Sequence, residues 1–274
     1  MKSPVGGIFF DNVTMPEAVE AIACMARESG HPRIVCTANL DHMVTMSRDP
    51  QFKAIYRGAD FVVADGMPIV WLSRLAGVRL KERVAGSDLF WELAAVSHNT
   101  GLKLFFLGGR PGSAELAARI VRQRYPKVRI EGIYCPPYEA LNSPEENARI
   151  AELVGSARPD VLLVALGSPK QEKWIAAHRD SLGVPVSIGV GGSFEMAAGA
   201  VKRAPVWMRR SGCEWLFRLI QEPRRLARRY LLADLPYLVI LVIRTIAERF
   251  RGNRDYDPSA ATSSSQGKVA STKL

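Results

Sequence analysis

A chain of 274 residues is long enough for one large α/β domain or two small ones, and an apolar fraction of 47% with five tryptophans excludes wholesale disorder. The net charge of +10 is confined to one region, because residues 1–201 carry +1, residues 202–254 carry +9 and residues 255–274 carry none. We therefore predict a neutral α/β body (1–201), a basic segment (202–254) and a Ser/Ala/Thr-rich tail (255–274) that is disordered.

The first residues of the chain and its cysteines indicate the cellular compartment and the kinds of cross-link to expect. The first ten residues, MKSPVGGIFF, lack a long apolar stretch and a small-residue cleavage site, so we expect a cytoplasmic protein. The four cysteines show no C-x-x-C spacing and have apolar neighbours. We predict free, buried thiols, with neither disulfides nor a zinc site.

Strand-like and helix-like patterns alternate along the body. The predicted strands are residues 33–38, 61–65, 102–109, 128–135, 161–167 and 184–192. The predicted helices are residues 16–29, 87–98, 113–125, 143–157 and 170–181. Thr14 and Glu17 have capping-box spacing, and Ser113 and Ser143 stand at expected N-caps. Continuous apolar strands that alternate with helices predict a doubly wound, mainly parallel, Rossmann-like sheet with the basic segment as a helical appendage.

In such a sheet all parallel strands end at one edge, and ligands bind in the crevice beyond it. Polar or glycine residues stand at the carboxyl ends of five of the six predicted strands, so we expect them to converge. They are Thr37 and Asn39, Asp65 and Gly66, Gly108 to Gly112, Gly167 to Glu172 and Gly189 to Glu195.

Glycines between a strand and a helix can leave backbone N–H groups free for a phosphate. Gly108, Gly109 and Gly112 fit this pattern, although such glycines can also serve only to form the turn. In GVGGSF, Phe194 stands where a G-x-G-x-x-G fingerprint needs its last glycine, which disfavours a nicotinamide cofactor. The single D-x-D match, Asp255 and Asp257, lies in the tail. We therefore predict no cofactor and no metal.

Four other residues can be explained either by a structural role or by a functional one. Asp65 could cap the next helix, or act as a general base whose pKa is raised by burial. Arg83 could pair with a surface acid, or contact a phosphate with its guanidinium. Gln171 and Glu172 could be ordinary first-turn residues. Their expected convergence at one edge favours the functional readings.

Seven sequence blocks, in order over about residues 8–230, resemble those of the WecG/TagA/CpsF glycosyltransferases, glycosyltransferase family 26. The blocks are TANLDH, ADG (64–66), ERVAGSDL, LGG with PG (107–112), GSPKQEKWI, GVGGSFE with AG, and RAPVWMRRSGCEWLFRLIQEPRRLARRY. The resemblance implies a metal-independent, inverting transfer from a UDP-sugar to an undecaprenyl-diphosphate-linked acceptor in envelope or exopolysaccharide synthesis. The donor sugars that the resemblance implies are N-acetylmannosamine, its uronic acid and glucose. The sequence does not select one of the three.

The resemblance also implies roles for residues at matching positions. Asp65 would be the catalytic base, and the donor and acceptor pocket would be lined by Thr37, Asn39, Arg83 and Gln171. Glu195 stands where the family usually has aspartate, so an extra methylene lies at a substrate-binding position.

The basic segment has the properties of a membrane-surface helix. Its longest uncharged piece, 235–243, is nine residues long against the ~20 that a spanning helix needs, and Pro236 interrupts it. We predict that it lies on the inner face of the cell membrane, with an apolar stripe of Leu231, Leu235, Leu238, Val242 and Ile246. The lipid or its diphosphate would be bound by Arg203, Arg218, Arg224, Arg225 and Arg228. A helix packed on the body or on another subunit is the alternative.

Two other classes of function remain at this stage. A nucleic-acid-binding protein would explain the basic segment, but no recognition motif or aromatic-interleaved basic sheet accompanies it, so we expect no nucleic-acid partner. A non-enzymatic membrane adaptor would leave Asp65, Gly108 and Gln171 unexplained. A homo-oligomer is left open by the sequence.

Overall fold

The computed structural model describes residues 2–252 apart from 29 and 142, without the side chains of residues 206, 210, 225 and 250–252. The predicted disordered tail, with Asp255 and Asp257, lies outside the described residues.

The centre of the body is a six-stranded parallel sheet. Its strands are β3 (Arg33–Ala38), β4 (Phe61–Ala64), β5 (Lys103–Gly108), β6 (Arg129–Tyr134), β7 (Val161–Ala165) and β8 (Val186–Gly189). They lie in the order β4-β3-β8-β7-β5-β6, and all neighbours are parallel. A separate antiparallel hairpin is formed by β1 (Lys2–Val5) and β2 (Ile8–Asp11). The predicted doubly wound, Rossmann-like sheet is confirmed, whereas the hairpin was not predicted.

Helices cover both faces of this sheet. One face carries α1 (Met15–Arg27), α5 (Gly86–Thr100), α6 (Ser113–Arg124) and α9 (Ser193–Ala197). The other carries α2 (Leu40–Arg48), α3 (Pro50–Gly58), α4 (Met67–Leu75), α7 (Pro144–Ala157) and α8 (Lys170–Leu182), with a 3₁₀ turn at Tyr138–Ala140 before α7. Side chains alternate along the strands, so Val35 belongs to the first core while Ile34 and Cys36 belong to the second.

Local signals in the sequence explain where several helices begin. Thr14 and Glu17 form the predicted capping box of α1, and Ser143 accepts a hydrogen bond from the Glu146 N–H as the N-cap of α7. The N-cap prediction for Ser113 is wrong. Gly112, with φ of +79°, is the N-cap of α6, and the Ser113 hydroxyl donates to the Arg110 carbonyl within the turn.

The cysteines are free, as predicted, but only Cys36 is buried. Cys24 is exposed because it lies on the solvent side of α1, where its thiol donates to Glu28. The prediction that all four thiols are buried is therefore wrong.

The basic segment is helical through its described part. It contains α10 (Val206–Ser211), α11 (Glu214–Gln221), α12 (Pro223–Arg229), a π-helical turn (Tyr230–Asp234) and α13 (Leu235–Gly252). Leu241 of α13 is buried in the second core, and Arg249 donates to the Leu75 carbonyl at the end of α4. The segment is thus packed along one side of the body.

An ion cluster holds the π-helical turn against α2. Arg229 Nη1 lies 3.3 Å from Asp41 Oδ2, and Arg229 Nε lies 3.8 Å from Asp234 Oδ2. Burial, followed by the nearby Asp41 charge, raises the pKa of Asp234 to about 6. These contacts fix the point at which α12 passes into α13.

The stretch Leu226–Arg249 is one helical run of 24 residues, and by length and composition alone it is apolar enough to cross a membrane. The prediction that Pro236 interrupts this stretch is wrong, because the helical run continues past the proline, with a π-helical turn (Tyr230–Asp234) directly before it. Only 17% of the most apolar window is buried against the rest of the protein.

The exposed side of this run differs from the predicted stripe. Val242 and Leu238 are half-buried, because the helix turns Leu241 and Thr245 toward the body. The exposed apolar side chains, here called the apolar face, are Leu231, Leu232, Leu235, Val239, Ile240, Ile243 and Ile246. Trp207, Trp215 and Ile220 of α10 and α11 are exposed as well.

Candidate active site

The carboxyl ends of β3 and β4 bring Thr37 and Asp65 together beside the start of α5. Asp65 follows β4 directly, and its Oδ2 accepts a hydrogen bond from the Gly86 N–H at 3.1 Å. A Cβ atom added to Gly86 would lie 3.3 Å from Thr37 Oγ1 and 3.5 Å from Asp65 Oδ2. Glycine therefore allows these two side chains to meet over the first turn of α5.

The Asp65 side chain is half-buried at the carboxyl end of β4, at the edge of the sheet. Burial raises its pKa to about 7, whereas Arg83, the Gly86 N–H and Arg218 act to lower the pKa and Glu214 acts to raise it. The helix-cap alternative does not apply to its side chain, since α4 begins at Met67 with Gly66 as its N-cap and without a side-chain cap. A carboxylate with a near-neutral pKa is suited to accept a proton near pH 7.

Arg83 stands beside Asp65 at the centre of an ion network. Its Nη1 lies 2.8 Å from Glu214 Oε2 in α11, and its Nη2 lies 3.5 Å from Asp88 Oδ2 in α5. Asp88 Oδ1 also pairs with Arg203, and it lies 3.2 Å from Arg209 Nη1. The network therefore joins the body to the basic segment at the crevice.

Two of the arginines predicted to bind the lipid or its diphosphate are in this network. Arg203 also donates to Ser87 Oγ at 3.0 Å. Arg218 lies with its Nε 3.7 Å from Glu214 Oε1, and its Nη2 donates to Met196 Sδ. Arg224 and Arg228 are exposed on α12, and the side chain of Arg225 lies outside the described residues. Lipid or diphosphate binding by these arginines stays a prediction.

The GSPKQEKW stretch places buried polar side chains behind the crevice. Gln171 Nε2 donates to Glu172 Oε1 at 2.8 Å, and Gln171 Oε1 accepts from the Gly191 N–H at 3.1 Å. The Gly189 carbonyl accepts from Thr37 Oγ1 at 3.2 Å. Gln171 is therefore a link between the loops after β7 and β8, and its contact with substrate stays a prediction.

The glycine-rich turn after β5 adopts the conformation that glycine favours. Gly108 and Gly109 have φ values of +92° and +87°, and a Cβ on Gly108 would lie 2.7 Å from the Ala165 carbonyl oxygen. The N–H of Gly109 donates to that same carbonyl. These contacts account for the glycines in the turn, so phosphate binding at Gly108, Gly109 and Gly112 stays a prediction.

Glu195 and Asn39 stabilise loops at the same edge. Glu195 Oε1 accepts from the Arg110 N–H at 2.8 Å, while its buried Oε2 has no hydrogen-bond partner among the described residues. The longer glutamate thus reaches the glycine-rich turn. Asn39 Oδ1 accepts from the His42 N–H as the N-cap of α2. Substrate binding by either residue stays a prediction.

The sequence analysis missed Gly86, Asp88, Arg209 and Glu214. Gly86 and Asp88 lie in the ERVAGSDL block, but no residue pattern shows that a glycine N–H will meet Asp65. Glu214 carried a usable signal, because it is one of four acidic residues in a strongly basic segment. In the part of the chain that the structure describes, no group of three or more His, Cys, Asp or Glu side chains could hold a metal ion.

The comparisons with known proteins identify the family of the chain. The model of the glycosyl transferase WecG/TagA/CpsF family matches residues 4–252, so the chain belongs to that family and is a glycosyltransferase. This membership excludes the non-enzymatic adaptor as an account of the whole protein.

Curated relatives carry one common description, N-acetylglucosaminyldiphosphoundecaprenol N-acetyl-beta-D-mannosaminyltransferase. The relative from Bacillus subtilis is 33% identical over 77% of this chain and 79% of its own length. The Staphylococcus aureus (strain MW2) relative is 32% identical over 83% and 87%, and the Bacillus spizizenii relative is 29% identical over 88% and 90%.

Proposed function

We propose that this glycosyltransferase moves a hexose, with inversion, from a UDP-sugar to a saccharide linked to undecaprenyl diphosphate, with Asp65 as the general base. The observation that carries the proposal is the position of the Asp65 carboxyl, which lies at the sheet edge with a pKa near 7 and with Arg83 beside it. The family supplies the reaction class, and the names of the relatives support the lipid-linked acceptor.

The reaction needs one proton acceptor and one stabilised leaving group. The acceptor hydroxyl gives its proton to the Asp65 carboxylate, and its oxygen forms a bond to the anomeric carbon. The bond from that carbon to the diphosphate oxygen breaks on the opposite side, so the configuration inverts and UDP leaves. A positioned base contributes roughly 10²–10⁴ in rate.

The negative charge on the leaving diphosphate is met by arginines in this proposal. Arg83, Arg203 and Arg218 come from three positions in the chain and gather around Asp88 and Glu214. Preorganised cations of this kind stabilise developing charge without reorganisation. We therefore propose a metal-independent transfer, which predicts that activity persists after dialysis against EDTA and does not rise when Mg²⁺ or Mn²⁺ is added.

The donor sugar is the least constrained part of the proposal. The relatives' names favour N-acetylmannosamine as the donor sugar and N-acetylglucosaminyl-diphosphoundecaprenol as the acceptor. A panel of UDP-N-acetylmannosamine, its uronic acid and UDP-glucose on this acceptor tests the choice. Product formed from UDP-glucose alone would contradict it.

The apolar face and the exposed arginines Arg224 and Arg228 support a peripheral position on the inner face of the cell membrane. This position would bring the crevice next to a lipid-linked acceptor. Because Leu241 and Thr245 on the other side of α13 are buried against the body, we propose that the helix lies on the membrane.

The decisive experiment compares Asp65→Asn with Asp180→Asn. The first change removes the base and keeps its shape, whereas Asp180 is an exposed residue on α8, with 82% of its side chain accessible. We expect Asp65→Asn to lose about 10²–10⁴-fold in kcat while UDP binding, measured by calorimetry, is retained. Asp180→Asn should match the parent enzyme. Normal turnover by Asp65→Asn would remove Asp65 from the mechanism.

A further inference from the structure

The basic segment contributes a carboxylate to the crevice. Glu214 is the first residue of α11, and its side chain is 14% exposed. One of its oxygens accepts a hydrogen bond from Arg83 Nη1 at 2.8 Å, and the other lies 3.7 Å from Arg218 Nε. Glu214 therefore links an arginine of the body to an arginine of the segment, next to Asp65.

We propose that Glu214 is a positioning residue, which holds the Arg83 guanidinium beside Asp65 so that the arginine is in place when the diphosphate leaves. The inference rests on the proposed transfer reaction and extends it to a residue of the basic segment. Glu214 acts on the reaction through Arg83 and does not itself need to touch the substrate.

The other contacts of Arg83 explain why Glu214 is needed. Its second acidic neighbour, Asp88, is 3.5 Å away and is already paired with Arg203 and Arg209. Without Glu214, Arg83 would keep, among the described residues, this longer ion pair with a shared carboxylate and the attraction of the nearby Asp65 charge, but it would lose its 2.8 Å hydrogen bond. A flexible arginine would then regain rotamer freedom, and the cost of ordering it would be added to the barrier of the reaction.

The charge of Glu214 has a separate and measurable effect on Asp65. The groups that act on the pKa of Asp65 are Arg83 and the Gly86 N–H from the body, and Arg218 and Glu214 from α11. Burial is the main cause of the raised pKa of Asp65, and the negative charge of Glu214 raises it further. Removing that charge should therefore lower the pKa of Asp65.

Two substitutions separate orientation from charge. Glu214→Gln keeps an oxygen that can accept from Arg83 but removes the charge, whereas Glu214→Ala removes both. We expect Glu214→Ala to lower kcat by about 10–100-fold, with the KM for the donor changed by less than about threefold. We expect Glu214→Gln to keep kcat within about threefold and to move the acidic limb of the kcat/KM profile to lower pH. The matched control is Glu248→Gln, an equal charge change at an exposed site of α13, which should alter neither quantity.

A second readout does not depend on catalysis. The unfolding free energies of the parent and of Asp65→Asn are measured across pH, and their difference is taken. The same difference is then measured between the two proteins that also carry Glu214→Gln. The pH-dependent difference changes between the pKa of Asp65 in the unfolded protein and its pKa in the folded protein, so its midpoint falls when the folded pKa falls. It should move to lower pH with Glu214→Gln and stay in place with Glu248→Gln.

The outcomes separate this inference from the proposed function. If the parent transfers none of the donors, the proposed function fails, while the midpoint still tests the coupling between Glu214 and Asp65. If Glu214→Ala fails to fold in a thermal melt, the midpoint and pH profile of Glu214→Gln decide. Parent-like kcat for a folded Glu214→Ala, or a midpoint that Glu214→Gln leaves unmoved, would overturn the inference.

Discussion

The crevice and the apolar face both lie at the surface, but their side chains are held in different ways. In the crevice, Thr37 and Gln171 are buried, and each hydrogen-bonds a backbone group of another loop. On the apolar face, Leu232 and Ile243 expose more than half of their surface. The comparison indicates that contacts within the folded chain fix the geometry around Asp65. The apolar face, in contrast, presents an exposed surface that is suited to a lipid boundary.

The largest expected effect concerns the stability cost of keeping Asp65 in the crevice. The pKa of Asp65 is about 7 in the folded protein against an ordinary value of 3.8, so the folded state holds a proton that the unfolded state releases between these pH values. Stability should therefore fall as pH rises from about 4 to 7. Asp65→Asn removes this cost, so we expect it to gain about 3–4 kcal/mol relative to its parent between pH 4 and pH 8.

The measurement is the unfolding free energy from urea titrations at pH 4 to 8.5. Asp180→Asn serves as the exposed control and should show no comparable trend. A stability difference for Asp65→Asn that is flat with pH would show that the carboxyl is ionised throughout, which would weaken the contrast between crevice and surface.

The next effect compares two adjacent residues on α13. Leu241 is 4% exposed and packs in the second core, whereas Ile240 is 45% exposed on the apolar face. We expect Leu241→Ala to lower the unfolding free energy by about 2–3 kcal/mol, because it leaves a cavity. Ile240→Ala should cost less than about 1 kcal/mol. Equal losses of unfolding free energy in urea titrations would mean that α13 does not turn Leu241 toward the body and Ile240 toward solvent.

A smaller effect tests the packing behind the crevice. A Cβ on Gly189 would lie 2.6 Å from Gln171 Nε2, so Gly189→Ala must displace the amide from Glu172 and Gly191. We expect kcat to fall about 10–100-fold, equivalent to about 1–3 kcal/mol in the barrier. Gly155→Ala, a glycine on α7 with no atom near its added Cβ, is the control. Unchanged kcat in Gly189→Ala would show that the Gln171 link is dispensable.

The sequence predicted the sheet because its strands are continuous apolar runs between helices with clear start signals, such as the capping box of Thr14 and Glu17. It missed the β1–β2 hairpin and helices α2 to α4. The strands of the hairpin have four residues each, and α2, α3 and α4 have nine residues each. Such short elements are stabilised mainly by tertiary packing, which a local pattern does not show.

The candidate site was predictable to the extent that strand ends share one edge. Asp65 and Thr37 meet there for that reason. The pairing of Arg83 with Glu214 was not predictable, because Glu214 is 131 residues away along the chain and no local pattern relates the two. The exposed side of α13 was also mispredicted, since Leu238 and Val242 fit an apolar stripe equally well until the position of Leu241 against the body is known.

The smallest effect tests what covers the apolar face. If Ile243 enters the membrane interface, then Ile243→Ser removes most of the apolar area of a side chain whose full burial is worth about 1.5–3 kcal/mol. We expect about tenfold weaker partitioning onto phosphatidylglycerol vesicles in a sedimentation assay. Leu153→Ser, at an exposed leucine of α7 on the body, should bind like the parent.

If a second copy of the chain covers the face instead, Ile243→Ser will convert a dimer to a monomer in analytical ultracentrifugation and leave vesicle binding unchanged. That pair of results would contradict the membrane position. It would show instead that the apolar face is covered by protein, as the side chains of the crevice are.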